Sequence, residues 1–92
     1  MATLEEISRE RAKQVRASVE KGEAWYKKIA AEVEKKYHGY YIVIDVETGE
    51  YLVDEDDLRV LELGGKKFAG HWRHFKRVGY PGPVYGYPTG RW

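Results

Sequence analysis

No cysteine occurs among the 92 residues, which excludes disulfides and thiolate metal sites and weakly favours a reducing compartment. No apolar run approaches the ~20 residues that a membrane span requires. The opening segment MATLEEISRERAK has acids early and no hydrophobic stretch. It therefore does not read as a signal peptide, and the cytoplasm is the expected location. P-loop, Rossmann glycine and Ser/Cys nucleophile patterns are all missing, and the two serines, Ser8 and Ser18, lie on a polar helical stretch. A chain of this length makes one domain at most, burying roughly 60–65% of its unfolded surface. That leaves no room for a large cleft with lids.

What is present is ordinary for a globular protein, 42% hydrophobic and 34% charged, with eight tyrosines and three tryptophans. Large rings supply much core area per residue, which suits a small domain. The net charge of +1 hides an asymmetry. Residues 1–38 carry +2, residues 39–63 carry −7, and residues 64–92 carry +6 with no acid among them. Either the segments compensate one another in the fold, or they make a two-signed surface that orients a partner.

Thr3-Leu4-Glu5-Glu6 reads as a capping box. Apolar positions then recur at steps of three or four: Leu4, Ile7, Val15, Val19, Trp25 or Tyr26, Ile29, Val33 and Tyr37, with Arg11 and Gly22 on the same face. Residues 23–37 are the expected core helix. Residues 4–21 form a more polar helix, continuous with it or bent near Gly22, that is marginal alone and needs something to lean on. Gly39 is the expected C-cap glycine. Residues 40–54 read as a β-hairpin turning at Thr48-Gly49. A two-residue loop would set Val46 against Tyr51 and Ile44 against Val53. It would put Tyr40, Ile42, Ile44, Val46, Tyr51 and Val53 under the core helix, and Asp45, Glu47, Glu50 and Asp54 on the outer face. Asp54 can cap a short helix over 55–68, which is favoured over a strand through Leu58–Leu63; Gly64-Gly65 would end either one. A third strand, an edge strand or half-exposed, follows at 71–78. Pro81 and Pro83 leave at most a short last strand in a Gly/Pro/Tyr-rich tail over 81–92. The expected architecture is α+β, with a long N-terminal helix packed on a small antiparallel sheet, in a single domain over 1–92: helical arm and core helix 1–38, sheet core 39–80, then the tail.

Ile42-Val43-Ile44-Asp45-Val46-Glu47-Thr48-Gly49 resembles the first motif of DEDD-type exonucleases, whose paired carboxylates hold catalytic metals. That fold is nearly twice this length, and its later acidic motifs have no counterpart here. His38, His71 and His74 have no cysteine or fixed acid to complete a metal set, and Gly49 falls at the wrong position for an EF-hand loop. Neither a cofactor nor a metal is expected, and the chain does not read as an enzyme. The segment Trp72-Arg73-His74-Phe75-Lys76-Arg77 interleaves rings and cations as single-strand nucleic-acid binders do, and Tyr80, Tyr85, Tyr87 and Arg91 extend it. It matches no RRM or KH signature.

Three pieces carry a more specific resemblance: Ile44-Asp45-Val46-Glu47-Thr48-Gly49-Glu50-Tyr51, Asp54-Glu55-Asp56-Asp57-Leu58 and Arg77-Val78-Gly79-Tyr80. Together, and at this spacing, they are similar to a group of small bacterial proteins, common in cyanobacteria, whose genes often adjoin those of retropepsin-like proteins. The resemblance spans residues 39–80 and implies the order strand, strand, helix, strand. It also implies a protein partner in an antitoxin-like arrangement. Gly64-Gly65 stand where that group has an uninterrupted helix. The leading expectation is a non-catalytic protein-interaction module: a small adaptor, an antitoxin-like protein or an accessory subunit of a larger assembly. Nucleic-acid binding through residues 72–77 is the alternative, with a metal-dependent nuclease behind it. The candidate partner-binding residues are Asp45, Glu47, Glu50, Trp72, Arg73, Lys76, Arg77, Tyr85, Tyr87 and Trp92.

Overall fold

The computed structural model describes residues 3–81. In chain order it contains α1 (Leu4–Tyr37), β1 (Tyr41–Asp45), β2 (Tyr51–Asp54), α2 (Asp57–Lys67) and β3 (Arg73–Arg77). The three strands form one antiparallel sheet in the order β2-β1-β3. This is the α+β architecture expected, and no described helix is long and apolar enough to cross a membrane.

The layering follows from the connection between β2 and β3. Both strands run antiparallel to β1 and flank it, so they are parallel to each other and need a crossover. The crossover is α2, which lies across one face of the sheet, while α1 lies across the other. Alternation along β1 then divides the core. Ile42 and Ile44 meet Tyr26, Val33 and Val78 on the α1 side. Val43 meets Val60, Phe68 and Phe75 on the α2 side. With helices on both faces, an interior strand reads as a continuous apolar run rather than an alternating one, and Ile42, Val43 and Ile44 are all fully buried.

Three local expectations change. The hairpin register is shifted by two residues, with Ile44 opposite Tyr51 and Ile42 opposite Val53. The loop therefore spans residues 46–49, closed by bonds from the Asp45 amide to Glu50 O (2.8 Å) and from the Gly49 amide to Asp45 O (2.7 Å). Gly49 takes φ +83° there. A shift of two keeps every side chain on its face, so Tyr40, Ile42, Ile44 and Val53 still pack under α1, while Tyr51, on the outer strand, is exposed and not covered as expected. The opposite face is solvent-facing only in part: α2 covers Val43, and Asp45 is buried beside His71, whereas Glu47 and Glu50 are exposed as expected. Finally, α2 is capped by Asp56 and not Asp54: the Asp56 carboxylate accepts from the amides of Leu58 (2.9 Å) and Arg59 (3.1 Å). Asp54 instead accepts from the Asp56 amide at 2.8 Å.

Of the two alternatives at Gly22 the helix is continuous, and Gly64-Gly65, expected to end an element, sit inside one. Gly22 lies mid-way along an unbroken α1, and a Cβ built on it would come 2.2 Å from Cγ of His74. Gly64 lies inside α2, where a Cβ would come 2.6 Å from a methyl of Val43. Each helix thus approaches the sheet closely through a missing side chain.

α1 is longer than the sheet it covers. Its 34 residues correspond to about 51 Å of helix, and the longest dimension of the molecule is 49 Å. Its buried residues are Ser18, Gly22, Tyr26 and Val33, whereas every residue from 3 to 14 is exposed. The first turns form a free arm, begun by the Thr3 hydroxyl, which accepts from the Glu6 amide at 3.1 Å.

Candidate functional site

The arm leaves the sheet at the hairpin-turn end, and most of the noteworthy polar chemistry gathers there. β1 ends at Asp45. Its side chain points to the α2 side and is 3% exposed. One carboxylate oxygen accepts from the Glu47 amide at 2.9 Å. The other lies 2.7 Å from Nδ1 of His71, and an ionised carboxylate can only accept, so that nitrogen carries the proton. Burial by itself would raise the Asp45 carboxyl. The hydrogen bonds from His71 and the Glu47 amide, with the charge on His71, outweigh it and hold the group below the usual carboxylate range.

Glu47 stands on the turn and accepts from the Trp72 amide at 3.1 Å. The same oxygen is 3.8 Å from Nδ1 of His71. The backbone completes the junction, with Val46 N–H bonded to Trp72 O at 3.1 Å and His71 N–H to Phe68 O at 3.0 Å. The hairpin turn and the α2–β3 loop are therefore stitched together by side chain and main chain alike. Beside them a cleft of about 240 Å³ is lined by Gln14, Ala17, Lys21, Val46, Glu47 and Trp72, so the junction abuts the stretch of α1 where the arm begins.

Asp45, Glu47 and Trp72 are thus brought together. Glu50 is exposed beyond the turn, with its amide donating to the Thr48 hydroxyl at 3.2 Å. The basic members of the candidate set are not gathered on a surface. β3 is an edge by strand order, yet both of its faces are covered, and Arg73, His74, Phe75 and Lys76 are buried. Arg73 donates to Phe68 O at 3.1 Å, at the carbonyl end of α2. Burial lowers its pKa, and the charge on Asp45 works in the opposite direction. Lys76 donates to Tyr80 O at 2.9 Å, lies 3.5 Å from Glu23, and sits 4.5 Å over the Tyr26 ring. Arg77 donates to Gly39 O at 3.1 Å and lies 4.4 Å over the Tyr80 ring. These cations satisfy carbonyls and rings of their own chain, so the phosphate-facing role expected of Arg73 and Lys76 is closed to them in this fold. Tyr85, Tyr87 and Trp92 lie outside the described residues.

Two groupings were missed from sequence. His71 joins Asp45 across 26 positions, a contact that exists only because β1 and β3 pair with Asp45 opposite Arg73. Under Gly22, His74 is fully buried 3.4 Å from Glu23, too poorly aligned for a hydrogen bond, and neither ring nitrogen finds a partner among the described residues. Burial lowers the His74 pKa against the pull of Glu23, with Lys76 adding to the fall. Burial thus favours the uncharged ring.

Comparison of the chain with protein-family models, with curated proteins and with solved structures returns no match.

Proposed function

We propose that this chain is a non-catalytic protein-interaction module, and that the free arm of α1 is what it offers to a protein partner. The observation that carries the reading is the continuity of one helix face. From Ser18 onward that face is buried against the sheet. The same face runs on into the arm through Leu4 and Ile7, which are 84% and 53% exposed. An apolar stripe in register with a packed face, and covered by nothing among the described residues, suits insertion into an apolar groove on another protein. The charges on and beside it are of both signs (Glu5, Glu6, Arg9, Glu10, Lys13, Arg16, with Arg11 on the stripe itself), which favours a partner groove with a mixed-charge rim.

Membership of the small bacterial family that the chain resembles, with an adaptor, antitoxin-like or accessory-subunit role in the cytoplasm, is part of this proposal. Nothing specific favours the nucleic-acid alternative, since its central cations and Phe75 are interior.

The test is direct. Affinity capture from the native lysate names candidates, and the deciding measurement is calorimetric titration of the purified partner against wild type and a Leu4→Asp/Ile7→Asp double variant. Saturable binding that weakens at least about tenfold in the variant, with an unchanged melting temperature, is the expected result. Equal affinity for both chains, or a strictly monomeric protein that titrates with no candidate, overturns the reading.

A further inference from the structure

We propose that Asp45, Glu47 and His71 form a binding site for one divalent first-row transition-metal ion, with zinc the best-matched occupant. The inference is independent of the arm. It rests on three donors that approach from two separate segments, the hairpin turn and the α2–β3 loop.

The spacing suits a shared ion. One ligand atom from each residue lies within 4.8 Å of the other two, with His71 Nδ1 at 2.7 Å from Asp45 and 3.8 Å from Glu47. An ion bonded at about 2.0–2.2 Å to each donor sets the donors roughly 3.0–3.5 Å apart. Closing from the present positions needs only small side-chain movements.

The donor types select the metal. One imidazole with two carboxylates is a borderline set that zinc, manganese, iron or nickel accepts, whereas magnesium and calcium favour oxygen alone. The donors are also held from outside the triad, as a ligand shell requires. The Glu47 carboxylate is aimed by the Trp72 amide, and the two segments are joined by the Val46–Trp72 backbone bond. Exposure is graded from the floor outward, with the Asp45 side chain at 3%, His71 at 43% and Glu47 at 49%. An ion can therefore enter from water, seat on a buried carboxylate and keep water on its open side. The Arg73 guanidinium feels the Asp45 charge, and Lys21 lines the cleft beside Glu47.

The proton on His71 is the competitor. In the metal-free arrangement it lies between Nδ1 and the Asp45 oxygen. The ion takes the nitrogen lone pair and the proton leaves to solvent, so affinity rises with pH. When bound, the ion cross-links the loop 46–49 to the α2–β3 loop at the base of the arm.

The experiment is calorimetric titration of the full chain with zinc chloride in two buffers of different protonation enthalpy, repeated with magnesium. His71→Ala, Glu47→Gln and the control His38→Ala follow. Expected are one saturable zinc site, proton release, a higher melting temperature with zinc, and at least about tenfold weaker binding in His71→Ala and Glu47→Gln but not in His38→Ala. Cobalt binding to wild type, followed by paramagnetic shifts of the His71 ring protons, gives a readout that does not depend on how well any variant folds. No saturable binding, binding unchanged in both variants, magnesium bound as tightly as zinc, or cobalt leaving His71 unshifted would each overturn the assignment.

Discussion

The two halves of α1 share a backbone but not a source of stability. From Ser18 to Tyr37 the helix is fixed by what it touches: Tyr26 and Val33 in the core, Gly22 against His74, and the Trp25 indole donating to Val46 O at 3.0 Å. From Leu4 to Ala17 it is held by local terms, the Thr3 cap and an exposed Arg9–Glu5 pair at 3.3 Å. Each local term is worth from a few tenths to about 1 kcal/mol. The arm is helical because the packed half supplies a nucleus, after which each added residue closes one more backbone bond. Burial thus fixes where a helix must be, while propensity decides how far past its support it runs.

Paired substitutions across the boundary test this. Proline removes an amide and clashes with the preceding turn, at about 3 kcal/mol or more. Lys27→Pro should unfold the domain or lower its denaturation midpoint severely. Lys13→Pro should delete helical signal in circular dichroism while leaving that midpoint almost unmoved. A comparable loss from both would show that the arm is packed after all.

Next in size is Gly22→Ala, whose methyl must enter the His74 ring; overpacking of about 2 kcal/mol is expected by urea denaturation. Ser8→Ala, on the arm, should change the midpoint by less than about 0.5 kcal/mol.

Asp45 sits where the halves meet, beside the cleft that Lys21 and Trp72 line. Asp45→Asn should cost about 2 kcal/mol at pH 7, because charge-assisted bonds to His71 and the Glu47 amide are weakened. The folded carboxyl lies below its ordinary value of 3.8. The unfolded chain therefore binds this proton first on acidification, and the stabilisation is full above that value. It fades as pH falls below 3.8 through the folded pKa. Wild type and variant should converge in acid melts, and a gap that stays constant down to acid would remove the ion-paired picture.

The smallest effect is a glycine pair. Ala30→Gly should lower global stability by about 1 kcal/mol. Ala12→Gly should speed hydrogen exchange in the arm and leave global unfolding unchanged.

Much of the fold is legible in the residues, for reasons these contrasts make plain. Helical steps from Leu4 to Tyr37, β-branched runs around Thr48-Gly49 and the acidic start of α2 are local signals, and each led to the right element. The hairpin register slipped by two, yet the faces survived because strand parity has a period of two. The burial of β3 was not legible. Arg73 and Lys76 look like surface residues until the carbonyls of Phe68 and Tyr80 are placed beside them. Gly64-Gly65 carried the wrong meaning for a similar reason: a glycine that ends a helix and one that lets a helix touch a sheet are the same letter, and only Val43 distinguishes them. Of the turn-end cluster, Asp45 and Glu47 stood out by type and spacing. His71 did not, since its place beside them depends on strand pairing far along the chain.

The seat of Gly22 on the His74 ring has a mechanical corollary. Sliding α1 by one position would carry the β-carbon of Lys21 or Glu23 into the imidazole, so the contact works as a notch that indexes the helix along its axis. The overhang is then a ruler with a fixed zero, presenting Leu4 and Ile7 at a set height above the sheet to whatever meets them.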